Sequence, residues 1–317
     1  MKILITRRIP NHFVQDLKSV AEVEMYHETI KPMPREDLLE AAKDKDIIIS
    51  MLSDEMDKAF MDTNPNLRAI INLAVGYDNI DINYAREKGI VVCNTPDVLT
   101  ETTAELGFTL MLVTARRIVE ASDLVKEGNW IGWSPYLLAG NDVYGKTVGI
   151  FGMGSIGLAL AKRCKSLNMH IQYHNRSESR SAAEINSDYV TMDELLETSD
   201  YIVCTAPLTE ETKGIFDKDA FDKMKTSAIF INIGRGGHVI EEDLLTAIQS
   251  GSIYAAGVDV LNNEPVGSDH PFLKENRITV LPHIGSATVE TRDAMIDLCI
   301  QNAKLIAQDK TPVSEVK

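Results

Sequence analysis

Short β-branched runs alternate with longer stretches of helical periodicity along almost the whole chain, and that alternation leaves few folds open. Strand, helix and strand in regular succession build parallel sheets covered on both faces. In a first series, strands are expected at 2–6, 23–26, 47–50, 69–73 and 90–93, with helices over 34–43 and 82–88. Asp81 stands where it can cap the second helix. A second series begins near residue 147, with strands expected at 147–151, 170–174, 201–204, 228–232, 256–260 and 279–281. One of its helices opens at Thr191 on a capping-box pattern, Thr191-x-x-Glu194. Between the series runs 97–119, long and apolar, with a second such pattern, Thr102-x-x-Glu105. The stretch 128–141 carries both tryptophans, Trp130 and Trp133, and reads as an irregular loop. The 317 residues suffice for two such α/β units, each with its own core.

The formal charge of −15 argues against nucleic-acid or anionic-membrane partners, because phosphate would be repelled. An anionic substrate would need local positive charge. Cys93, Cys164, Cys204 and Cys299 are far apart, with neither a metal-ligand spacing nor a Cys-x-x-Cys pair, so no metal is expected and the thiols read as reduced. That reading, the absence of a long apolar run and an N-terminal apolar stretch too short for a signal peptide place the expectation in the cytoplasm.

Gly152-x-Gly154-x-x-Gly157 follows the strand "TVGIF" and opens a helical segment. In that context the first glycine permits a tight turn, the second lets backbone approach a pyrophosphate and the third lets the helix pack on the sheet. The helix N-terminus then stabilises the phosphates. At the next strand tip stands Tyr173-His174-Asn175-Arg176-Ser177, with no carboxylate to hold a ribose 2′-hydroxyl. Arg176 offers a cation for a 2′-phosphate, and Asn175 and Ser177 can add hydrogen bonds, so NADP(H) is preferred over NAD(H). The competing reading makes Arg176 and Arg180 solvated charges.

A nicotinamide dinucleotide serves hydride transfer, and reduction of a carbonyl by hydride needs an acid for the carbonyl oxygen and, for an anionic substrate, a cation to hold it. Three groups follow successive strands of the second series: Arg235 in Gly234-Arg235-Gly236-Gly237, Glu264 in Asn263-Glu264-Pro265, and His283 in Pro282-His283-Ile284-Gly285-Ser286. Each taken alone could be a turn residue, a solvated acid or a structural histidine. His12, His27, His170, His174, His238 and His270 lack such a setting and read as structural or surface.

With these motifs in order, the chain resembles the D-isomer-specific 2-hydroxyacid dehydrogenases, above all the glyoxylate/hydroxypyruvate reductase branch. The likeness covers nearly the whole chain, through "NLAVGYDNID", "TAELGFTLML", "GKTVGIFGMGSIG", "INIGRGG", "AAGVDV", "NEP" and "LPHIGSAT". It implies two Rossmann-like domains with parallel sheets. A dinucleotide-binding domain (99–284) is inserted into a flavodoxin-like substrate domain (1–98 and 285–317), with the family's active site in the cleft between them. It also implies a homodimer supported by a helix at 100–117. By the same resemblance Val75 and Gly76 offer amides to the substrate carboxylate, and Arg235 binds that carboxylate and polarises the keto oxygen. His283 exchanges the proton, Glu264 favours its protonated form, and Ser286 joins the substrate residues. Asp259 would hold the nicotinamide carboxamide, and Thr103, Met153, Ser155, Ile156, Ala206, Ile233 and Gly285 would line the cofactor. The implied reaction is reduction of glyoxylate, hydroxypyruvate or a similar small 2-keto acid to the D-2-hydroxy acid by NADPH. Two alternatives stay open: a reductase of sugar acids such as 2-ketogluconate, and a dinucleotide-sensing module like the C-terminal-binding-protein corepressors.

Overall fold

The computed structural model describes all 317 residues, which divide into two compact units: residues 1–99 with 287–317, and residues 100–286. The first unit is a five-stranded parallel sheet of β1 (Lys2–Ile5), β2 (Glu22–Met25), β3 (Ile47–Ser50), β4 (Ala69–Asn72) and β5 (Val91–Cys93). Their spatial order is β2-β1-β3-β4-β5, the flavodoxin-like arrangement. Between them lie α1 (Asn11–Lys18), α2 (Arg35–Ala42), α3 (Lys58–Asp62) and α4 (Ile82–Glu87). The central strands "IIIS" and "AIIN" are buried at every position, as strands covered on both faces must be, whereas the edge strand "EVEM" alternates between exposed and half-buried residues. Asp81 caps α4 by accepting from the Tyr84 N–H, as its position predicted.

The second unit opens with α5 (Thr100–Ala115) and α6 (Ile118–Lys126). The apolar 97–119 stretch is thus two helices and not one. The chain breaks at Arg117, which adopts a left-handed φ of 53°, and the Asn141 N–H caps the Ala115 carbonyl from a loop 26 residues away. Thr102 does not cap a helix start, because α5 already begins at Thr100. Its buried face, running through Thr103, Ala104, Gly107, Leu110, Met111 and Thr114, draws the helix past the capping pattern. Residues 127–146 form no regular element, and Trp130 and Trp133 are exposed there.

A seven-stranded parallel sheet follows: β6 (Thr147–Phe151), β7 (His170–His174), β8 (Asp188–Tyr189), β9 (Tyr201–Cys204), β10 (Ile229–Asn232), β11 (Ala255–Val258) and β12 (Ile278–Val280). Its helices are α7 (Ser155–Lys165), α8 (Arg180–Ala183), α9 (Met192–Thr198), α10 (Lys218–Lys223) and α11 (Glu241–Ser250). Thr191 caps α9 by accepting from the Glu194 N–H. The two-residue edge strand β8 carries no periodicity of its own and was not foreseen. The spatial order β12-β11-β10-β9-β6-β7-β8 reverses direction between β6 and β9, which makes that gap the switch point of a Rossmann-type sheet. The chain then returns to the first unit as α12 (Val289–Ala307), which packs on α1 and β4. None of the helices is long and apolar enough to cross a membrane.

Candidate active site

The glycine loop leaves β6 at the switch point. Gly152 has φ +101°, and a Cβ there would stand 2.5 Å from the Ala206 nitrogen at the end of β9. A Cβ at Gly157 would meet the Gly152 carbonyl at 2.5 Å, so α7 lies against the loop only because that position is bare. Gly154 differs: a Cβ there would meet no atom of the chain within 4 Å. Its bare side lines open space at the start of α7, a cradle in which a pyrophosphate can sit against backbone N–H groups. Ser155 and Ile156 form the first turn of α7 beside it. Asn175, at the tip of β7, is engaged in holding this loop, since its Oδ1 accepts from the Met153 N–H at 2.7 Å. The side chains left facing outward at the tip are Arg176 and Ser177, both exposed.

A second cluster forms where β10, β11 and β12 end. Asp259, one residue beyond β11, is 1% exposed. Its Oδ1 accepts from the Ile284 N–H at 2.8 Å and its carbonyl accepts from the His283 N–H at 2.9 Å. These two bonds hold His283 at φ +54°, a left-handed conformation that a non-glycine residue keeps only when its surroundings impose it. Burial pushes the Asp259 carboxyl above its ordinary range, despite the N–H groups of Ile284 and Gly285 and the nearby His283. Gly285 brings this aspartate together with Thr103: a Cβ there would stand 3.3 Å from both Asp259 Oδ2 and Thr103 Cγ2.

His283 Nδ1 donates to Glu264 Oε2 at 2.7 Å, while Glu264 Oε1 accepts from the Leu261 N–H at 2.8 Å. Burial raises the Glu264 pKa, but the His283 hydrogen bond and charge, the Leu261 N–H and the Arg235 guanidinium outweigh it. The carboxyl therefore lies below its ordinary range and is ionised at neutral pH. An ionised carboxylate can only accept, so the imidazole proton toward it sits on Nδ1 and Nε2 is the atom left for other chemistry. Arg235 leaves β10 in extended conformation with Nη1 donating to the Gly234 carbonyl at 2.9 Å. Arg235, Glu264 and His283, read separately after three strands, are thus brought into one electrostatic group. Ser286 lies half-buried three residues beyond His283.

The family described as "D-isomer specific 2-hydroxyacid dehydrogenase, NAD binding domain" matches residues 108–285. The chain belongs to the D-isomer-specific 2-hydroxyacid dehydrogenases. The glyoxylate reductase of Pyrococcus furiosus is 41% identical to this dehydrogenase over 316 residues, covering 98% of this chain and 94% of its own. The crystal structure of an NADPH-dependent glyoxylate/hydroxypyruvate reductase from Sinorhizobium meliloti, in complex with NADP and malonate, superimposes with a TM-score of 0.88 at 32% identity, covering 99% of this chain and 96% of that one. A protein of Thermus thermophilus gives 0.93 at 34% identity, with both chains fully covered.

In this dehydrogenase His238, read from sequence only as structural or surface, is fully buried and organises the arginine turn. Its Nε2 lies 3.2 Å from the Pro207 carbonyl, and its Nδ1 is 3.2 Å from the Arg235 N–H. With the proton on Nε2 donated to that carbonyl, Nδ1 accepts from Arg235. Its spacing from Arg235, three residues on, was the available signal. Ala206 and Ile233 follow β9 and β10 at the switch-point side and are buried. Val75 and Gly76 belong to the first unit, in the loop after β4, where their carbonyls accept from Asn94 and Asn72. All four cysteines are buried, and burial pushes the thiols of Cys93, Cys164 and Cys204 up to about 12 and that of Cys299 higher still, so none is poised as a nucleophile.

Proposed function

We propose that this dehydrogenase reduces glyoxylate, hydroxypyruvate or a comparably short 2-keto acid to the D-2-hydroxy acid, with NADPH preferred over NADH. The observation that carries the reading is the Glu264–His283 pair, which engages Nδ1 and leaves Nε2 as the proton donor. The bound cofactor supplies the hydride. His283 Nε2 protonates the carbonyl oxygen, Glu264 holds the imidazole through Nδ1, and the Arg235 guanidinium with the Val75 and Gly76 amides holds the carboxylate. Asp259, Gly285 and Thr103 receive the nicotinamide end, while Gly152, Met153, Gly154, Ser155, Ile156, Gly157, Ala206 and Ile233 line the remainder. Similarity to glyoxylate reductases and to a reductase solved with NADP supports both the substrate class and the cofactor. Arg176 and Ser177, exposed at the tip of β7 with no carboxylate beside them, support the preference for a 2′-phosphate.

A second copy of the chain is the proposed partner. Helix α6 has no buried residue, although Ile118, Val119 and Val125 are apolar, and the following arm exposes Trp130, Ile131, Trp133 and Tyr136. Apolar surface of that extent calls for cover. Light scattering that returned a monomer at micromolar concentration would remove this part of the reading. The catalytic part is tested by following reduced-nicotinamide absorbance with glyoxylate, hydroxypyruvate, pyruvate and 2-ketogluconate, each with NADPH and NADH. Fast oxidation of NADPH by the two shortest hydroxy- or aldehyde-type acids is expected. Turnover with 2-ketogluconate alone would reassign the substrate, and no turnover with bound cofactor would overturn the reading.

A further inference from the structure

The loop after β4 has a backbone arrangement that its sequence does not announce. Three consecutive carbonyls point into the first unit: Ala74 accepts from the Thr95 N–H at 2.9 Å, Val75 from Asn94 Nδ2 at 2.8 Å, and Gly76 from Asn72 Nδ2 at 2.8 Å. The only cis peptide bond in the chain is Glu264–Pro265, so the peptides of this loop are trans. In a trans peptide the N–H points opposite to the C=O. The N–H groups of Val75, Gly76 and Tyr77 therefore point away from the groups that hold the three carbonyls, and three successive N–H groups turned to one side are what an anion-binding nest requires.

We propose that Asn72 and Asn94 are the positioning residues of this nest, and that it offers the substrate carboxylate a third donor, the Tyr77 N–H. The assignment rests on the 2-keto acid reading above. Both asparagines are built in from behind. Asn72 is fully buried, its Oδ1 accepts from Ser50 Oγ at 3.1 Å, and its Nδ2 also reaches Asn79 Oδ1 at 3.2 Å. Asn79 in turn donates to the carbonyls of Met51 and Asp54. Asn94 is held by the C-terminal segment: its carbonyl accepts from Ser314 Oγ at 2.7 Å, and Ser314 Oγ in turn accepts from Asn302 Nδ2 at 2.7 Å. The Val316 N–H donates to the Val92 carbonyl, which lays that segment along β5. The last residues of the chain thus set the angle of an amide that sets the angle of the Val75–Gly76 peptide. A buried amide donor suits this task. It holds a carbonyl by a directed bond and brings no charge that would compete with the incoming anion.

The test compares Asn72→Ala and Asn94→Ala with Asn64→Ala, a buried asparagine of the same unit that donates to the Ala42 and Lys45 carbonyls away from the loop. Thermal midpoint, NADPH Kd, and KM and kcat for glyoxylate are measured for each. Loss of one directing bond is expected to raise KM about tenfold for the first two variants, with NADPH Kd unchanged. Asn64→Ala is expected to lower the midpoint and leave KM in place. An unmoved KM in both nest variants, at a midpoint loss equal to that of Asn64→Ala, overturns the proposal. Should an alanine variant fail to fold, Asn94→Asp serves. Its carboxylate cannot donate, but its protonated form can, so the KM ratio to the parent enzyme falls as pH is lowered; a flat ratio overturns the proposal. If the parent enzyme turns over no 2-keto acid, the functional reading falls and this assignment with it; if it does and the ratios are flat, only the asparagine assignment falls.

Discussion

Two strand-end sites in this molecule are built from opposite materials. In the second unit the groups after β10, β11 and β12 are ionisable: Arg235, Asp259, Glu264 and His283, with both carboxyl groups moved from their ordinary range. In the first unit the loop after β4 is shaped by neutral asparagines and backbone, with Asn72 and Asn94 fastening carbonyls from inside. A site that moves a proton needs groups that change charge, whereas a site that only holds a carboxylate needs fixed dipoles. The difference fits the proposed division, with proton transfer in the second unit and the holding of a carboxylate in the first.

The sharpest break in that contrast would come from His283→Ala. We expect kcat to fall about 10²- to 10⁴-fold with NADPH affinity retained; loss of NADPH binding with kcat intact would move proton transfer elsewhere. Arg235→Ala is expected to lower kcat/KM for keto acids by about 10²- to 10³-fold, as removal of a charge-stabilising donor does. A value within experimental error of the parent would end its role with the carboxylate.

The two carboxyl groups should then separate by sign. Glu264 lies below its ordinary 4.5, so its ionised form stabilises the fold above that pH, and the contribution is lost as pH falls through the lowered pKa. Asp259 lies above its ordinary 3.8, so its contribution is complete below that pH and is lost as pH rises through the raised pKa. Glu264→Gln is therefore expected to lose about 1–3 kcal/mol of stability at neutral pH, the loss shrinking in acid. Asp259→Asn should be at least as stable as the parent at neutral pH while binding cofactor less well. Denaturation midpoints across pH decide it, and parallel curves for the two variants would contradict the contrast. The smallest effect is expected from Arg176→Ala, where an exposed charge is worth about 1 kcal/mol, so NADPH affinity should drop about fivefold and NADH affinity hold. Equal losses for both nucleotides would place Arg176 away from the 2′-phosphate.

Much of the fold was legible because strand burial and helix periodicity are local. β6, β7 and β9 fall on the expected residues, and Asp81 and Thr191 cap the helices that follow them. The Thr102 pattern misled because a four-residue capping signature also occurs inside helices, and only packing of the buried face of α5 placed the true start. The break at Arg117 had no glycine or proline to mark it. It depends on Asn141 reaching the Ala115 carbonyl from a distant loop. His238, expected to be structural or at the surface, is structural, and only the fold shows that the turn it holds is that of Arg235.

The sequence by itself determined the alternation of strands and helices apart from β8 and the break at Arg117, the glycine loop and the succession of arginine, glutamate and histidine after three strands. These follow from burial patterns and turn chemistry acting over a few residues. The tertiary structure alone decided that Glu264 reaches His283 across 19 residues, that Asp259 forces His283 into its left-handed turn, and that three carbonyls after β4 face inward. Each of these is a directed bond between segments distant in sequence. Its geometry is set by how neighbouring parallel strands stack, which no local pattern encodes.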